Sequence, residues 1–448
     1  MTFNPHTAQD REAMLAAVGV ASTDDLFSPI PSDIRYPDLD LPPALTEMEA
    51  VRHLASIAAK NFVPDPEDSY LGAGSYRHFI PSTVDAMISR GEFFTAYTPY
   101  QPEVAQGTLQ VIYEFQSMVA ELMGLEVANA SMYDGATAMA EGALIAVSSS
   151  RKRERIVVAP TVNPAYRKVL ETYISGTSIT MTTLPAGDDP FRFDVSQLEG
   201  ALDDGVACVV VQYPNFYGTI EDIEAIAEVV HAAGALLVVN TTPVPLALLR
   251  SPGELGADIA VAEGQPLGVP PSYGGPYVGL LATAKKHVRQ MPGRLAGITT
   301  DEEGKRGFVL TLQTREQHIR REKATSNICT NQGLMATAAT VYMSTMGPEG
   351  FREVANRSYQ NAHYLASQVS AMDDYAVASP EPFFHEFTIR CPIPAADVNR
   401  ALLDRGILGG LDLGTIDPSL ADCLLVCTTE LHSRETIDRL VEGLPAGR

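Results

Sequence analysis

Between Ala128 and about Thr283 the chain alternates short apolar runs with amphipathic ones, and few folds accept that order. Strand-like runs stand at Arg155–Ala159, Ser178–Leu184, Val206–Gln212, Ala235–Asn240, Asp258–Ala262 and Tyr277–Ala282. Helical runs separate several of them, at Gly135–Ser148, Asn163–Ile174 and Ile223–Ala233. Parallel strands joined by right-handed crossover helices satisfy this pattern. The strand cores VACVVVQ and ALLVVN are apolar throughout, as strands covered on both faces should be. The expected large domain is α/β, a doubly wound and mostly parallel sheet.

The flanks differ. Residues 1–62 read as a Pro- and Asp-rich helical extension, with a short helix near Ala8–Val18. Thr46 and Glu49 form a capping box, and Met48, Val51, Leu54, Ala55 and Ala58 follow at helical spacing. In residues 63–346, helices are expected from Pro81 and over Pro102–Met123, the latter closed by Gly124. A helical region follows at Asn331–Met346 and Pro348–Met372. Residues 347–448 continue as a smaller α+β domain, with strands near Phe384–Arg390 and Asp422–Thr428 and helices near Ala395–Arg405 and Ser433–Leu440.

Composition removes several functions. No apolar run approaches the roughly 18–20 residues of a membrane span. The leader MTFNPHTAQDREAML has no apolar core, so no signal peptide is expected and the cytoplasm is the expected compartment. A net charge of −23 argues against nucleic acid, whose phosphates would be repelled. The five cysteines contain no CxxC and the nine histidines no HExxH, so no metal is expected. Neither GxxxxGK[ST] nor GxSxG occurs, and Leu71–Gly74 holds only half of a GxGxxG.

Three polar segments stand out. Tyr97–Gly107, YTPYQPEVAQG, is a Pro-stiffened aromatic loop that either lines a site or packs its tyrosines on the domain. Met132–Ala138, MYDGATA, enters a helix whose N-terminus could hold an anion. Asp134 is placed to cap those N–H groups itself, which leaves no room for one. Gln313–Cys329 contains Arg315, Arg320, Arg321 and Lys323, the densest basic cluster in an acidic chain. Either Glu316 and Glu322 neutralise it, or it receives an anion or an acidic partner.

A fourth segment, Gly256–Gly275, reads GADIAVAEGQPLGVPPSYGG: a strand, a turn and a Gly/Pro-rich stretch. In aminotransferase-type enzymes using pyridoxal phosphate (PLP), a segment of this shape carries the Schiff-base lysine. Gln265 stands at the position that looks equivalent. Together YTPYQPEVAQG, MYDGATA and TREQHIRREKATSNICT closely resemble subunit 1 of the P protein of the glycine cleavage system, over about residues 5 to 445.

The resemblance implies an aminotransferase-like fold (fold type I) and a share in a glycine dehydrogenase (decarboxylating). The complete enzyme releases CO2 from glycine and passes the aminomethyl group to the lipoyl arm of H protein. In the split form, subunit 2 carries PLP and subunit 1 does not, with two copies of each chain. Gln265 lacks the amine, Ala235–Arg250 lacks an acid for the pyridine nitrogen, and Asp134 fills the phosphate end of the helix. No cofactor is therefore expected on this chain, and no catalytic residue acts within it alone. Tyr97, Tyr100 and Gln101 are the residues expected to be lent to the partner's cleft. Arg315, Arg320, Arg321 and Lys323 are the interface or H-protein candidates. Two rival readings stand beside this one: a PLP enzyme using Lys285 or Lys286, and a non-catalytic scaffold or regulatory protein.

Overall fold

The computed structural model describes residues 5–150, 152–324 and 326–446. Thr325, inside the Gln313–Cys329 segment, and the first four residues of the leader lie outside the described residues. Two compact units divide the chain, Met1–Val63 and Pro64–Arg448.

The first unit contains helices α1 (Ala8–Val18) and α2 (Glu47–Ala58). Each begins with a reciprocal cap: Thr7 with Asp10, and Thr46 with Glu49. Neither helix contains a buried residue, and Met48, Val51, Leu54 and Ile57 of α2 are exposed.

The second unit opens with α3 (Ser82–Ile88) and α4 (Gln106–Met123), then β1 (Val127–Ala128), α5 (Gly135–Ser149), β2 (Arg155–Val158) and α6 (Pro164–Ile174). It continues through β3 (Thr180–Thr183), α7 (Gln197–Ala201), β4 (Val206–Tyr213), α8 (Ile223–Ala232), β5 (Leu236–Thr241), β6 (Ile259–Glu263) and β7 (Gly279–Thr283). These strands form one sheet in the order β1-β7-β6-β5-β4-β2-β3, parallel from β3 to β6 and antiparallel at β7 and β1. Every residue of β4 is buried, as its continuous apolar run requires, and the main core lies between this sheet and its helices.

Pro102–Met123 is not one helix. Pro102–Val104 forms a separate short turn, and α4 starts at Gln106. The Gln106 side chain holds that junction, donating to Pro102 O and Phe308 O and accepting from Phe308 N–H at 2.8 Å each. Phe308 belongs to a hairpin of β8 (Ala296–Thr300) and β9 (Arg306–Leu310), which sequence reading missed. The hairpin's Asp301–Lys305 turn is almost wholly charged, and only part of each strand is buried, so the apolar run that signals a strand is absent.

After α9 (Gln317–Arg320), α10 runs Gly333–Ser370 with a break at Gly347 (φ 60°, ψ −179°), just before Pro348. Proline donates no N–H and crowds the preceding turn, so two helical segments meet there. We take Gly347 as the proposed boundary between a large and a small domain. Beyond it come β10 (Ala376–Val377), β11 (Glu386–Arg390), α11 (Ala395–Leu403), β12 (Leu411–Asp412), β13 (Cys423–Cys427) and α12 (Arg434–Gly443). Their strands form an antiparallel sheet, β10-β11-β13-β12, with a core of its own.

Candidate functional site

Parallel strands aim their carboxyl ends at one edge of the sheet, where ligands of doubly wound folds collect. A cavity of about 760 Å3 opens there, lined among others by Asp134, Asn163, Tyr166, Arg167, Glu263 and Tyr277. PLP would require three things of such a site: an amine, an acid for the ring nitrogen, and free N–H groups for its phosphate.

Gln265, two residues past β6, supplies no amine, and its amide is fully occupied. Its Oε1 accepts from Tyr76 N–H (2.8 Å) and Ser75 Oγ (3.4 Å). Its Nε2 donates to Tyr76 O (2.9 Å) and Val269 O (2.7 Å). Only 1% exposed, the side chain fastens the 75–76 loop to the turn after β6. At the end of β5 stands Asn240, neutral, with its Oδ1 buried and without a hydrogen-bond partner.

The N-terminus of α5 is filled twice over. Asp134 Oδ1 accepts from Thr137 N–H at 2.7 Å, so Asp134 is the cap. Glu263, which sequence reading missed, takes the neighbouring donor: its Oε2 accepts from Gly135 N–H at 2.8 Å. Its Oε1 accepts from Gln265 N–H (2.9 Å) and Val278 N–H (3.3 Å). Burial and the nearby Asp134 charge raise its carboxyl to about 8, against the downward pull of those N–H groups. The available signal was a carboxylate closing the apolar run IAVAE, a costly residue to bury without a task.

Lys285 and Lys286 lie at the other end of the sheet. Lys286 Nζ pairs with Asp258 at 3.1 Å, just before β6 begins, whereas Glu263 ends that strand at the cavity. Five strand residues put about 16 Å between them. Neither lysine lines the cavity.

The aromatic loop and the basic segment form a second cluster. Tyr97 is 72% exposed, while the Tyr100 hydroxyl accepts a hydrogen bond from the buried Arg294. Arg294 is ion-paired with Glu316, and His318 packs edge-on against Tyr100 with ring centroids 5.7 Å apart. Gln101 is exposed just before the Pro102–Val104 turn. The expected basic cluster divides. Arg315 is a backbone clamp, donating to Met291 O, Gly293 O and Leu312 O, whereas Arg320, Arg321 and Lys323 are exposed. Glu316 is ion-paired with Arg294 and lies 3.4 Å from His318, and Glu322 forms no ion pair among the described residues. Farther along, Ser326 Oγ bonds Glu141 of α5 at 2.5 Å, and Asn331 Nδ2 bonds Ser131 Oγ at 2.6 Å. The aromatic loop and the basic segment thus meet at Tyr100, and the basic segment reaches α5 through Ser326.

The sequence pattern of the glycine cleavage system P-protein matches residues 1–444. The chain belongs to that family. Among its relatives, a Thermomicrobium roseum protein named "Probable glycine dehydrogenase (decarboxylating) subunit 1" is 56% identical over 99% of both chains. Proteins of the same name from Sorangium cellulosum and Desulforamulus reducens are 51% and 50% identical, covering 99% and 100% of each chain respectively. A crystal structure of the P-protein glycine decarboxylase in inhibitor-bound form superposes with a TM-score of 0.90 at 45% identity over 99% of both chains. Glutamate decarboxylase of Lactobacillus brevis (TM-score 0.67, 14% identity, covering 91% of this chain and 94% of that one) shares the fold alone. The P-protein chain therefore has the fold of type I PLP enzymes. Among its described residues no helix is long and apolar enough to cross a membrane, and no group of His, Cys, Asp and Glu is placed to hold a metal ion.

Proposed function

We infer that this chain is the first subunit of a split glycine decarboxylase in the glycine cleavage system. The assembled enzyme decarboxylates glycine and delivers the aminomethyl group to the lipoyl arm of H protein. Subunit 2 holds PLP; this chain does not. The observation that carries the reading is Gln265, an amide locked by four hydrogen bonds where an imine-forming lysine would have to stand. Asn240 at the end of β5 and the two acidic side chains at α5 support it, because Asn240 offers no acid to the ring nitrogen and Asp134 and Glu263 occupy N–H groups a phosphate would use.

On this reading the chain's contribution lies at an interface. Tyr97, Tyr100 and Gln101 extend into the neighbouring subunit's cleft, and two copies of each chain make up the cytoplasmic complex. Arg320, Arg321 and Lys323 receive the acidic H protein, while Arg315 serves the backbone around it. The lysine-based rival has no support from the geometry, since Lys286 is committed to Asp258 at the far end of β6.

Co-purification with subunit 2 tests the reading. The expected complex contains one PLP per pair of unlike chains and exchanges bicarbonate with glycine carboxyl, whereas neither chain alone does so. A borohydride-reducible chromophore on this chain would overturn the assignment. So would full exchange activity of subunit 2 by itself, which would instead favour a scaffold.

A further inference from the structure

Arg294 is a fully buried arginine, 2% exposed, just before β8. A guanidinium withdrawn from water is costly unless its donors are matched by good acceptors. One nitrogen meets the Glu316 carboxylate, itself 2% exposed on its side chain. Another donates to the Tyr100 hydroxyl and lies 3.6 Å from Cys329 Sγ. The guanidinium carbon also sits 5.3 Å from the centroid of the Tyr100 ring. Tyr100 is thus held by its oxygen and by its face, while 36% of the residue remains exposed.

Other polar ties of this loop are weaker or local. Tyr97 N–H bonds Thr95 Oγ1 and Tyr100 N–H bonds Thr98 O, contacts that fix turns without anchoring the loop to the body. Thr98 Oγ1 reaches Thr330 Oγ1 only at 3.5 Å. Arg294 is the charged tie: one Nη bonds the Tyr100 oxygen while the other is ion-paired with Glu316, a fixed geometry an ammonium does not reproduce.

We propose that Arg294 is the positioning residue of the Tyr97–Gln101 loop, with Glu316 neutralising the guanidinium while it holds the Tyr100 phenol in the one orientation presented to the neighbouring subunit's cleft. This rests on the reading of that loop as lent to subunit 2. Because the Tyr100 oxygen accepts from Arg294, its own proton points away from the guanidinium.

The test uses the complex of both subunits and glycine/bicarbonate exchange. Arg294→Lys preserves the charge opposite Glu316 but removes the fork, and Tyr100→Phe removes the acceptor but keeps the ring. Each is expected to lower kcat by about tenfold or more with the glycine KM changed less than about twofold. Both changes break the same contact, so the double variant should be no slower than the slower single variant. If Tyr100→Phe turns over like wild type, the loop reading itself fails. If it is slow while Arg294→Lys is normal, or if the two losses multiply, only the role of Arg294 is overturned. Should Arg294→Lys not assemble, an experimental structure of the wild-type complex decides. A guanidinium within hydrogen-bond reach of Tyr100 Oη, with that tyrosine facing subunit 2, supports the proposal; a separation beyond about 4 Å overturns it.

Discussion

On the proposed reading, two side chains at and just past the end of β6 close the cavity to a covalent cofactor, and each can be probed by itself. Gln265→Ala would leave the Tyr76 N–H and two carbonyls, of Tyr76 and Val269, without partners in a buried place. Losses of that kind cost about 2–5 kcal/mol, so urea unfolding of the isolated chain should show a lowered midpoint. An unchanged midpoint would mean the amide is not locked. Glu263 has the opposite character, because its carboxyl is raised to about 8 from an ordinary 4.5. The folded chain keeps a proton there that the unfolded chain releases. Its stabilising share is complete below about pH 4.5 and disappears as the pH climbs through about 8. Wild type should therefore lose stability relative to Glu263→Gln between those limits in paired thermal melts. Melting curves that stay parallel across that range would show that the carboxyl titrates normally.

At the scale of elements, glycine positions separate crowding from conformation. A Cβ on Gly135 would lie 2.6 Å from Tyr166 Oη and 2.8 Å from Glu263 N, so the first turn of α5 is sealed against β6 by contact. Gly347 meets nothing within 4 Å, yet its φ of 60° and ψ of −179° are open almost only to glycine. Gly347→Ala should cost about 1–3 kcal/mol by denaturant unfolding despite the open space, and a neutral result would show that the break in α10 adjusts freely. These elements also mark how far the sequence could be read. The apolar runs of β4 and β5, the caps at Thr46 and Asp134, and the end of α4 at Gly124 were legible because local chemistry decides them. The late start of α4 was not, since Gln106 settles it through Phe308 some 200 residues away, nor was the β8–β9 hairpin, whose strands carry no continuous apolar run. Gln265 could be singled out from sequence, and Glu263 left only the faint signal of an acid closing an apolar run. Arg294 left none, because nothing local indicates that an arginine reaches Tyr100.

For the whole molecule the governing quantity is charge. A chain of net −23 repels acidic partners at a distance, so the acidic H protein of the proposed function would need a local basic patch to approach. Arg320, Arg321 and Lys323 form such a patch: all three are exposed and none makes an ion pair among the described residues. Salt screens exposed charges over about 8 Å at physiological strength, so an encounter steered by this patch must weaken as salt rises. Paired reversal, Arg320→Glu with Arg321→Glu, should slow the low-salt reaction with H protein by about tenfold and flatten its salt dependence. The mass of the complex with subunit 2 should not change. Equal salt slopes for variant and wild type would reduce the patch to a solvated face. Loss of subunit 2 from the variant would instead place these arginines in the subunit interface, where they would face an acidic surface of subunit 2.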